Sequence, residues 1–312
     1  MARDWHETFK TWAKPPSDTE EEKGSRAARM INDAVRSSST LAAKNFDVYA
    51  SGSYRNNTNV RLASDIDIAI VLKDTIYYEF PASGSPTREE LGLTDATYRL
   101  EHFRDDVGKA LVAQFGAPNV TPGEKSFNIH ENTARLDADV AVFLEHRRYT
   151  GTRTTAGSWE YHSGSELRSR SDPNKRVINW HQQHYDAGVV RNDATKRRFK
   201  RITRILKRMR DEMREQGKAE AQVAAKTANS FLIECLVFNA PDTCFNLTEG
   251  SYYEDVKATI SKLWNATKID SDCSTFVEVS RLKKLFADGQ PWTRAQAHEF
   301  LLRAWQHVGF PS

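Results

Sequence analysis

GSYRNNTNVRLASDIDIAIVL, residues 52–72, is the stretch that decides the fold. It opens with Gly52-Ser53, continues for eleven residues and reaches Asp65-Ile66-Asp67, the start of an apolar, largely β-branched run that predicts a strand. Residues two apart on a strand point to the same side, with their α-carbons ~6–7 Å apart. Asp65 and Asp67 are therefore spaced to bind one divalent cation, which removes the penalty of bringing two like charges together.

A second stretch supplies a third carboxylate. LDADVAVF, residues 136–143, predicts a buried strand with Asp137 and Asp139 on one face. A neighbouring strand in the same sheet would bring one of them beside the first pair, and three such carboxylates can hold two Mg²⁺ ions ~3.5–4 Å apart for phosphoryl transfer. The alternative for a lone Asp-x-Asp is an exposed acidic strand end.

Gly52-Ser53 lies between two predicted strands, and this position makes the pair informative about function. A glycine lets the backbone approach a phosphate closely, and a helix that starts here would favour a phosphate through its free N–H groups. The hydroxyl of Ser53 can add one hydrogen bond. The sequence therefore predicts phosphate binding next to the carboxylates.

Composition sets the outer limits. The 312 residues are 39% apolar and 28% charged, which excludes collagen, low-complexity disorder and a coiled-coil rod. A net charge of +3 does not by itself predict a nucleic-acid binder. Three cysteines without a CxxC spacing argue against a disulfide framework or a zinc site. With no signal-peptide pattern and no run of ~18 apolar residues, we expect a soluble cytoplasmic protein without membrane association.

Apolar periodicity divides the chain into two predicted domains. Residues 1–172 form a mixed α/β part, and residues 173–312 follow a helical pattern throughout. The segment 149–164 is rich in Thr, Gly and Ser and predicts a hairpin or a flexible insertion. The predicted strands are 46–50, 65–72, 126–130 and 136–144; the predicted helices are 4–13, 17–44, 95–114, 174–188, 193–216, 226–239, 252–266, 275–287 and 293–308.

Taken together, residues 52–72 and 136–143 resemble the DNA polymerase β-like nucleotidyltransferases, whose pattern is Gly-Ser, about a dozen residues, Asp-x-Asp and a later third Asp. The basic helix TKRRFKRITRILKRMR, residues 195–210, and KTANSFLIECLVF, residues 226–238, narrow the resemblance. They are similar to the helical half of the cGAS/DncV-like nucleotidyltransferases, the CD-NTases of bacterial CBASS antiphage signalling. The resemblance implies a bilobed protein, an α/β (α+β) core with a mixed sheet followed by an all-helical domain that completes the nucleotide cleft.

The resemblance also assigns roles to residues. Asp65 and Asp67 would hold both Mg²⁺ ions, with Mn²⁺ as an alternative. The family follows its third Asp with an apolar run, which favours Asp139 and leaves Asp137 as the alternative third carboxylate. Phe231 would stack on a base, against the alternative of a plain core aromatic, and Ser230 has the alternative of a helix-cap residue. The implied substrate-binding residues are Gly52, Ser53, Lys207, Ser230 and Phe231.

The implied function is synthesis of a cyclic oligonucleotide second messenger from nucleoside triphosphates, with ATP and either GTP or another NTP as substrates, in antiphage defence. The expected partners are the nucleotides and a regulatory protein or phage cue. One alternative is a transferase acting on RNA or a small-molecule acceptor, and another is a catalytically silent nucleotide-binding protein. Base choice, ring size and 2′–5′ or 3′–5′ linkage stay open.

Overall fold

The computed structural model describes residues 3–60, 65–81, 83–130 and 137–311. In chain order its helices and strands are α1 (Trp5–Trp12), α2 (Asp18–Arg36), β1 (Phe46–Ala50), α3 (Gly52–Asn56), β2 (Ile66–Glu79), α4 (Leu100–Phe115), β3 (Val120–Pro122), β4 (Ser126–Ile129), β5 (Ala138–Arg153), β6 (Trp159–Arg168), β7 (Arg176–Asn179), α5 (His181–Ala194), α6 (Arg198–Gln216), α7 (Ala219–Thr227), α8 (Ser230–Asn239), α9 (Tyr253–Ala266) and α10 (Arg294–Val308).

Internal contacts divide the chain into two compact units. The mixed unit consists of Ser17–Arg55 and Arg61–Gln182, and the helical unit consists of Met1–Pro16, Asn56–Val60 and Gln183–Ser312. The division therefore falls about ten residues beyond the predicted boundary at 172/173, and α1 belongs to the helical unit. The reason is the aromatic face of α1, because Phe9 is buried in the helical core and Trp5 and Trp12 pack against it.

A mixed sheet forms the centre of the mixed unit. Its strands run in the order β1-β2-β5-β4-β3, and β6 pairs with β5 and β7. The two central strands, β2 and β5, are parallel, with Ile68 opposite Val140 and Ile70 opposite Val142. These four side chains belong to the core that α2 and α4 share with the sheet. Because side chains alternate along a strand, the odd-numbered residues of β2 as far as Val71 and of β5 as far as Phe143 face the other way.

The opposite face of the sheet is apolar beyond its first residues. Ala69, Val71 and Phe143 form a small buried cluster there with Leu167. The strand predicted at 65–72 is confirmed and continues to Glu79, and the strand predicted at 136–144 continues to Arg153; its first predicted residue, Leu136, lies outside the described residues. The segment 149–164 is a hairpin, because β5 and β6 pair as far as Arg153 and Trp159.

The helical unit is built around α6 and α8. The apolar stripe of α6, which includes Phe199, Ile202, Leu206 and Met209, is fully buried in one core with most of α8. Cys235, Cys244 and Cys273 are free and buried, as the absence of a disulfide pattern predicted. Within the described ranges, no helix combines the length and apolar character that crossing a membrane requires.

One predicted helix is wrong, and a second is wrong only in its first residues, because 181–188 do lie in α5. Residues 176–179 of the predicted helix 174–188 form β7, because Val177 and Ile178 pair with β6 at a sheet edge. The segment predicted as helix 275–287 is instead a turn closed by a bridge between Val277 and Lys284, with Arg281 in the left-handed region. In both places a short apolar pattern fits helix and strand equally well. The helix α7 was not predicted as a separate element.

Candidate active site

The register of the two central strands sets the position of the acidic residues. Asp67 in β2 lies directly opposite Asp139 in β5. Adjacent strands are ~4.7–4.9 Å apart, and paired residues of parallel strands share a face, so these two carboxylates are neighbours. Both side chains are half-buried. They lie at the start of their strands, on the sheet face opposite α2 and α4.

Asp65 and Asp137 flank this pair. Asp65 lies two residues before Asp67, and Asp137 lies two residues before Asp139, each just ahead of its strand. The backbone N–H of Ile66 donates to the carbonyl of Asp137 at 2.9 Å. Asp65 is exposed and Asp137 half-buried. Among the residues that the structure describes, no group of three or more His, Cys, Asp or Glu side chains forms a ready-made metal site. The structure thus brings Asp67 and Asp139 together by register.

Asn128 is a site residue that the sequence analysis missed. It lies opposite Asp139 in the antiparallel partner strand β4. Its side-chain Nδ2 donates to Oδ1 of Asp139 at 3.3 Å, which orients that carboxylate. The alternation of Ser126-Phe127-Asn128, with Phe127 buried, was the signal available in the sequence.

Gly52 approaches the carboxylates closely. The turn between β1 and α3 is held by a hydrogen bond of 2.7 Å from the N–H of Ser51 to the carbonyl of Asp67. Gly52 has φ +58°, in the left-handed region, and a Cβ atom at this position would lie only 2.1 Å from Oδ2 of Asp67. Glycine is the one residue that leaves this carboxylate in place.

This arrangement fits a divalent cation. The donors are carboxylate oxygens, which Mg²⁺ prefers, and two neighbouring carboxylates repel unless a positive charge lies between them. The backbone of Gly52 also touches Asp67, so a phosphate bound on the Gly-Ser turn would lie next to negative charge. A cation shared by carboxylates and phosphate would relieve both repulsions.

Lys207 has partners different from those predicted. Its side chain is only 2% exposed. Its Nζ donates to the carbonyl and the hydroxyl of Thr58, at 3.2 and 3.0 Å, and to Oε2 of Glu234 at 2.9 Å. Because an ammonium has three donors, these contacts account for all of them. In this structure Lys207 is part of a buried ion pair, and the geometry does not support its predicted contact with a triphosphate.

Ser230 and Phe231 form the first turn of α8. The side chain of Asn229 caps this helix by accepting from the N–H of Leu232 at 2.8 Å, and Ser230 Oγ accepts from Nη1 of Arg210 at 3.0 Å. Phe231 is 38% exposed, so it is not the plain core aromatic that was one of its two alternatives. An exposed ring beside a helix N-terminus and an arginine can receive a base and a phosphate.

The fold and these residues define a class. A Gly-Ser turn against paired aspartates on adjacent strands is the arrangement expected of a nucleotidyltransferase, and residues 29–112 match the family model described as a nucleotidyltransferase domain. Residues 186–309 match the model of the cGAS/DncV-like nucleotidyltransferase C-terminal helical domain. The protein is a nucleotidyltransferase by both criteria.

Full-length relatives identify the family. The chain is 37% identical over 308 residues to the cyclic dipyrimidine nucleotide synthase CdnE of Legionella pneumophila, covering 99% of both chains. It is 34% identical to the enzyme of the same name from Cecembia lonarensis, covering 99% of this chain and 100% of that one. The structure of the Rhodothermus marinus CdnE c-UMP-AMP synthase with Apcpp and Upnpp superimposes with a TM-score of 0.82 at 26% identity, with 99% of each chain covered.

The chain therefore belongs to the cGAS/DncV-like nucleotidyltransferases. The resemblance drawn from the sequence is confirmed, as is the fold class of a mixed-sheet core followed by a helical region. The predicted function, joining of nucleoside triphosphates into a cyclic oligonucleotide, is confirmed at the level of this family, whose members above carry cyclic nucleotide synthesis in their names.

Proposed function

We propose that this protein is a cyclic dinucleotide synthase that joins two pyrimidine nucleoside triphosphates and releases pyrophosphate at each step. The observation that carries the proposal is the register of Asp67 with Asp139 beside the close approach of Gly52. A phosphate cradle in contact with paired carboxylates suits the transfer of a nucleotidyl group.

In the proposed reaction, a ribose hydroxyl of one nucleotide forms a new bond to the α-phosphorus of the other. The bond between the α-phosphorus and the bridging oxygen breaks, pyrophosphate leaves with that oxygen, and the hydroxyl proton passes to water. Gly52 and Ser53 bind the phosphates. Asp139, oriented by Asn128, positions the acceptor hydroxyl. A second attack within the linear product closes the ring.

Asp65, Asp67 and Asp139 would hold two Mg²⁺ ions, with Mn²⁺ as an alternative. Bound there, the metal supplies the positive charge that offsets the triphosphate and lowers the pKa of the attacking hydroxyl. Asp139 is the better candidate than Asp137 for the third carboxylate, because it is the residue directly opposite Asp67.

Ser230 and Phe231 would bind the donor nucleotide. Ser230 combines a hydroxyl, the N-terminus of α8 and the neighbouring guanidinium of Arg210, all of which favour a phosphate. The half-exposed ring of Phe231 would stack on the base. For Lys207 we propose a structural role, as the partner of Glu234, in place of the predicted contact with the triphosphate.

The choice of pyrimidines rests on the relatives. The two proteins at 37% and 34% identity are cyclic dipyrimidine nucleotide synthases, whereas the cyclic dipurine nucleotide synthase of Elizabethkingia meningoseptica is 29% identical. The resemblance drawn from the sequence implied ATP as a substrate. The informative experiment therefore compares UTP and CTP with ATP and GTP as substrates. We place the product in antiphage signalling in the cytoplasm, where nucleoside triphosphates are made.

The test is incubation of the purified protein with Mg²⁺ and each pair of labelled NTPs, followed by phosphatase treatment and mass spectrometry. The expected product resists phosphatase, contains two pyrimidine nucleotides and disappears with EDTA. A product of purines alone would overturn the base choice. Nucleotide binding without product would favour RNA or a small molecule as the acceptor, or a requirement for an activating partner.

Two matched variants test the third carboxylate. Asp139→Asn should lower turnover by at least ~10²-fold, because it removes a charge next to the reacting phosphate, while Asp137→Asn should keep most of the activity. Both should fold, as circular dichroism and thermal melting would show. The reverse ranking would assign the third carboxylate to Asp137.

A further inference from the structure

Glu234 is a buried carboxylate to which the chemistry above gives no role. It lies on α8, one turn after Ser230 and Phe231, and is 3% exposed. Its Oε2 accepts from Nζ of Lys207 at 2.9 Å and from the hydroxyl of Thr58 at 2.7 Å. Its Oε1 lies 2.9 Å from Nε2 of His184 on α5. One carboxylate therefore joins three segments that are far apart in the sequence.

The charge state of this cluster follows from its contacts. Burial would raise the pKa of Glu234, but the charge of Lys207 and the hydrogen bonds from His184 and Thr58 outweigh burial and hold the pKa far below its ordinary range. An ionised carboxylate only accepts hydrogen bonds. The Nε2 of His184 must therefore carry a proton and donate it to Glu234, which fixes the plane of the imidazole ring.

The fixed ring of His184 touches Phe231. Their centroids are 5.6 Å apart with the planes tilted by 42°. Phe231 also contacts Trp292, with ring centroids 5.8 Å apart and planes tilted by 36°. Trp292 is itself anchored by a hydrogen bond of 2.8 Å from its Nε1 to the carbonyl of Leu285. The exposed ring of Phe231 is thus set by two buried rings, each tied by a hydrogen bond.

We infer that His184 and Glu234 are positioning residues for Phe231, the side chain that would stack on the base of the donor nucleotide. Glu234 orients His184 through a hydrogen bond, His184 holds the ring of Phe231, and Lys207 supplies the positive charge that keeps Glu234 ionised. A stacking surface held in place before binding loses less entropy when the base arrives. This inference rests on the proposed function, because that function assigns the base to Phe231.

A double-mutant cycle tests the contact between His184 and Phe231. The measurement is the Kd of a non-hydrolysable UTP analogue for the whole protein and for H184Q, F231A and the double variant. Glutamine keeps a donor for Glu234 and removes the ring. H184Q should weaken binding about 2–12-fold, the range that one aromatic pair contributes, and should have no further effect when Phe231 is already alanine. Equal effects of H184Q in both backgrounds would overturn the inference.

A matched pair of buried carboxylates separates positioning from general stability. Asp255 on α9 is fully buried, accepts from the N–H groups of Asn246 and Leu247 at 2.9 Å each, and pairs with Arg198 at 3.3 Å. E234Q and D255N should both lower Tm, but at a temperature where both are folded, only E234Q should raise the KM for nucleotide while kcat changes less. An equal rise of KM in D255N would contradict a positioning role.

The outcomes distinguish this inference from the proposed function. Coupling between His184 and Phe231 in a protein that binds the analogue but makes no cyclic product would support the inference and count against the proposed function. If the protein makes a cyclic product but the effects of H184Q and F231A on binding are additive, the proposed function would be supported and the inference overturned. A wild-type protein that does not bind the analogue would overturn both.

Discussion

Alanine at position 52 would carry a Cβ atom 2.1 Å from Oδ2 of Asp67, so we expect Gly52→Ala to displace the carboxylate and abolish most of the activity. The same Cβ would lie 3.0 Å from Cγ and 3.4 Å from Cβ of Asp67. Rotation of the carboxylate alone therefore gives little relief, and the side chain as a whole must move.

Two costs of different kind can be separated. The first is conformational, because φ at Gly52 is +58° and a non-glycine residue in the left-handed region loses ~1–2 kcal/mol. The second is geometric. Oδ2 of Asp67 must retreat from 2.1 Å to at least 3.0 Å, a shift of roughly 1 Å, and a misplacement of that size can lower a rate by ~10²-fold.

Gly92 provides the control, because it shares the conformational cost without the geometric one. Its φ is +63°, it lies in the mixed unit, and an added Cβ would meet no atom within 4 Å. We expect Gly92→Ala and Gly52→Ala to lose comparable stability, measured as Tm or by urea unfolding. Only Gly52→Ala should lose about two orders of magnitude in kcat/KM, measured by pyrophosphate release.

One result would refute this reasoning. If Gly52→Ala kept its kcat/KM within about threefold of the wild type while showing the same loss of stability as Gly92→Ala, the carboxylate of Asp67 would tolerate the displacement. The position of Asp67 beside the Gly-Ser turn would then be a packing feature, and the proposed metal and phosphate site would lose its main geometric support.

Three further predictions concern other parts of the chain. Phe231→Ala should weaken nucleotide binding by ~1–3 kcal/mol, the usual contribution of one base stack, whereas Tyr161→Ala, at a similar 39% exposure in the mixed unit, should not. Isothermal titration with UTP measures both affinities. An equal loss of affinity in the two variants would contradict the stacking role. Glu166 is buried, which raises its pKa, but hydrogen bonds from His146 and Arg176 bring the pKa down to about 2. Its stabilising effect is therefore present above about pH 4.5 and is lost between pH 4.5 and 2. Urea unfolding should show that the free energy of unfolding of Glu166→Gln falls less steeply over this pH range than that of the wild type, and an unchanged slope would contradict this. Burial raises the pKa of the Cys235 thiol and raises that of Cys244 to about 11, so iodoacetamide at pH 8 should label neither in the folded protein and both in urea, as mass spectrometry would show; rapid labelling without urea would mean that these thiols are reached in the native state.

Local pattern was sufficient for the two strands that carry the aspartates. Alternation and β-branched residues in 65–72 predict a strand, and the position of Gly52-Ser53 between two predicted strands predicts a phosphate-binding turn next to it. The pairing of Asp67 with Asp139 was anticipated only in outline, because Asp137 was an equal candidate on the residues alone. Register is a property of two strands, and the hydrogen bonds that set it join residues about 70 positions apart.

The partners of buried polar groups were beyond the reach of local pattern. Lys207 was predicted to contact a triphosphate because the family resemblance implied that role for a lysine on the basic helix. The segment around Thr58 and the carboxylate of Glu234 cover it instead, and neither contact leaves a periodic signal in the sequence. Short segments such as 176–179 failed for a related reason, since pairing with β6 overrides a pattern that also suits a helix.

The parallel pairing of β2 and β5 has a consequence for how this gene can vary. Alternate side chains in these strands serve either the core under α2 and α4 or the face that carries Asp67 and the small cluster with Ala69 and Val71. Loss of a single codon between Asp67 and Leu72 would exchange the two sets and turn a carboxylate into the core. Substitutions there can be absorbed one at a time, but a frame-preserving deletion of one residue would cost the fold and the chemistry together. Length variation among relatives should therefore accumulate beyond Glu79, where β2 ends.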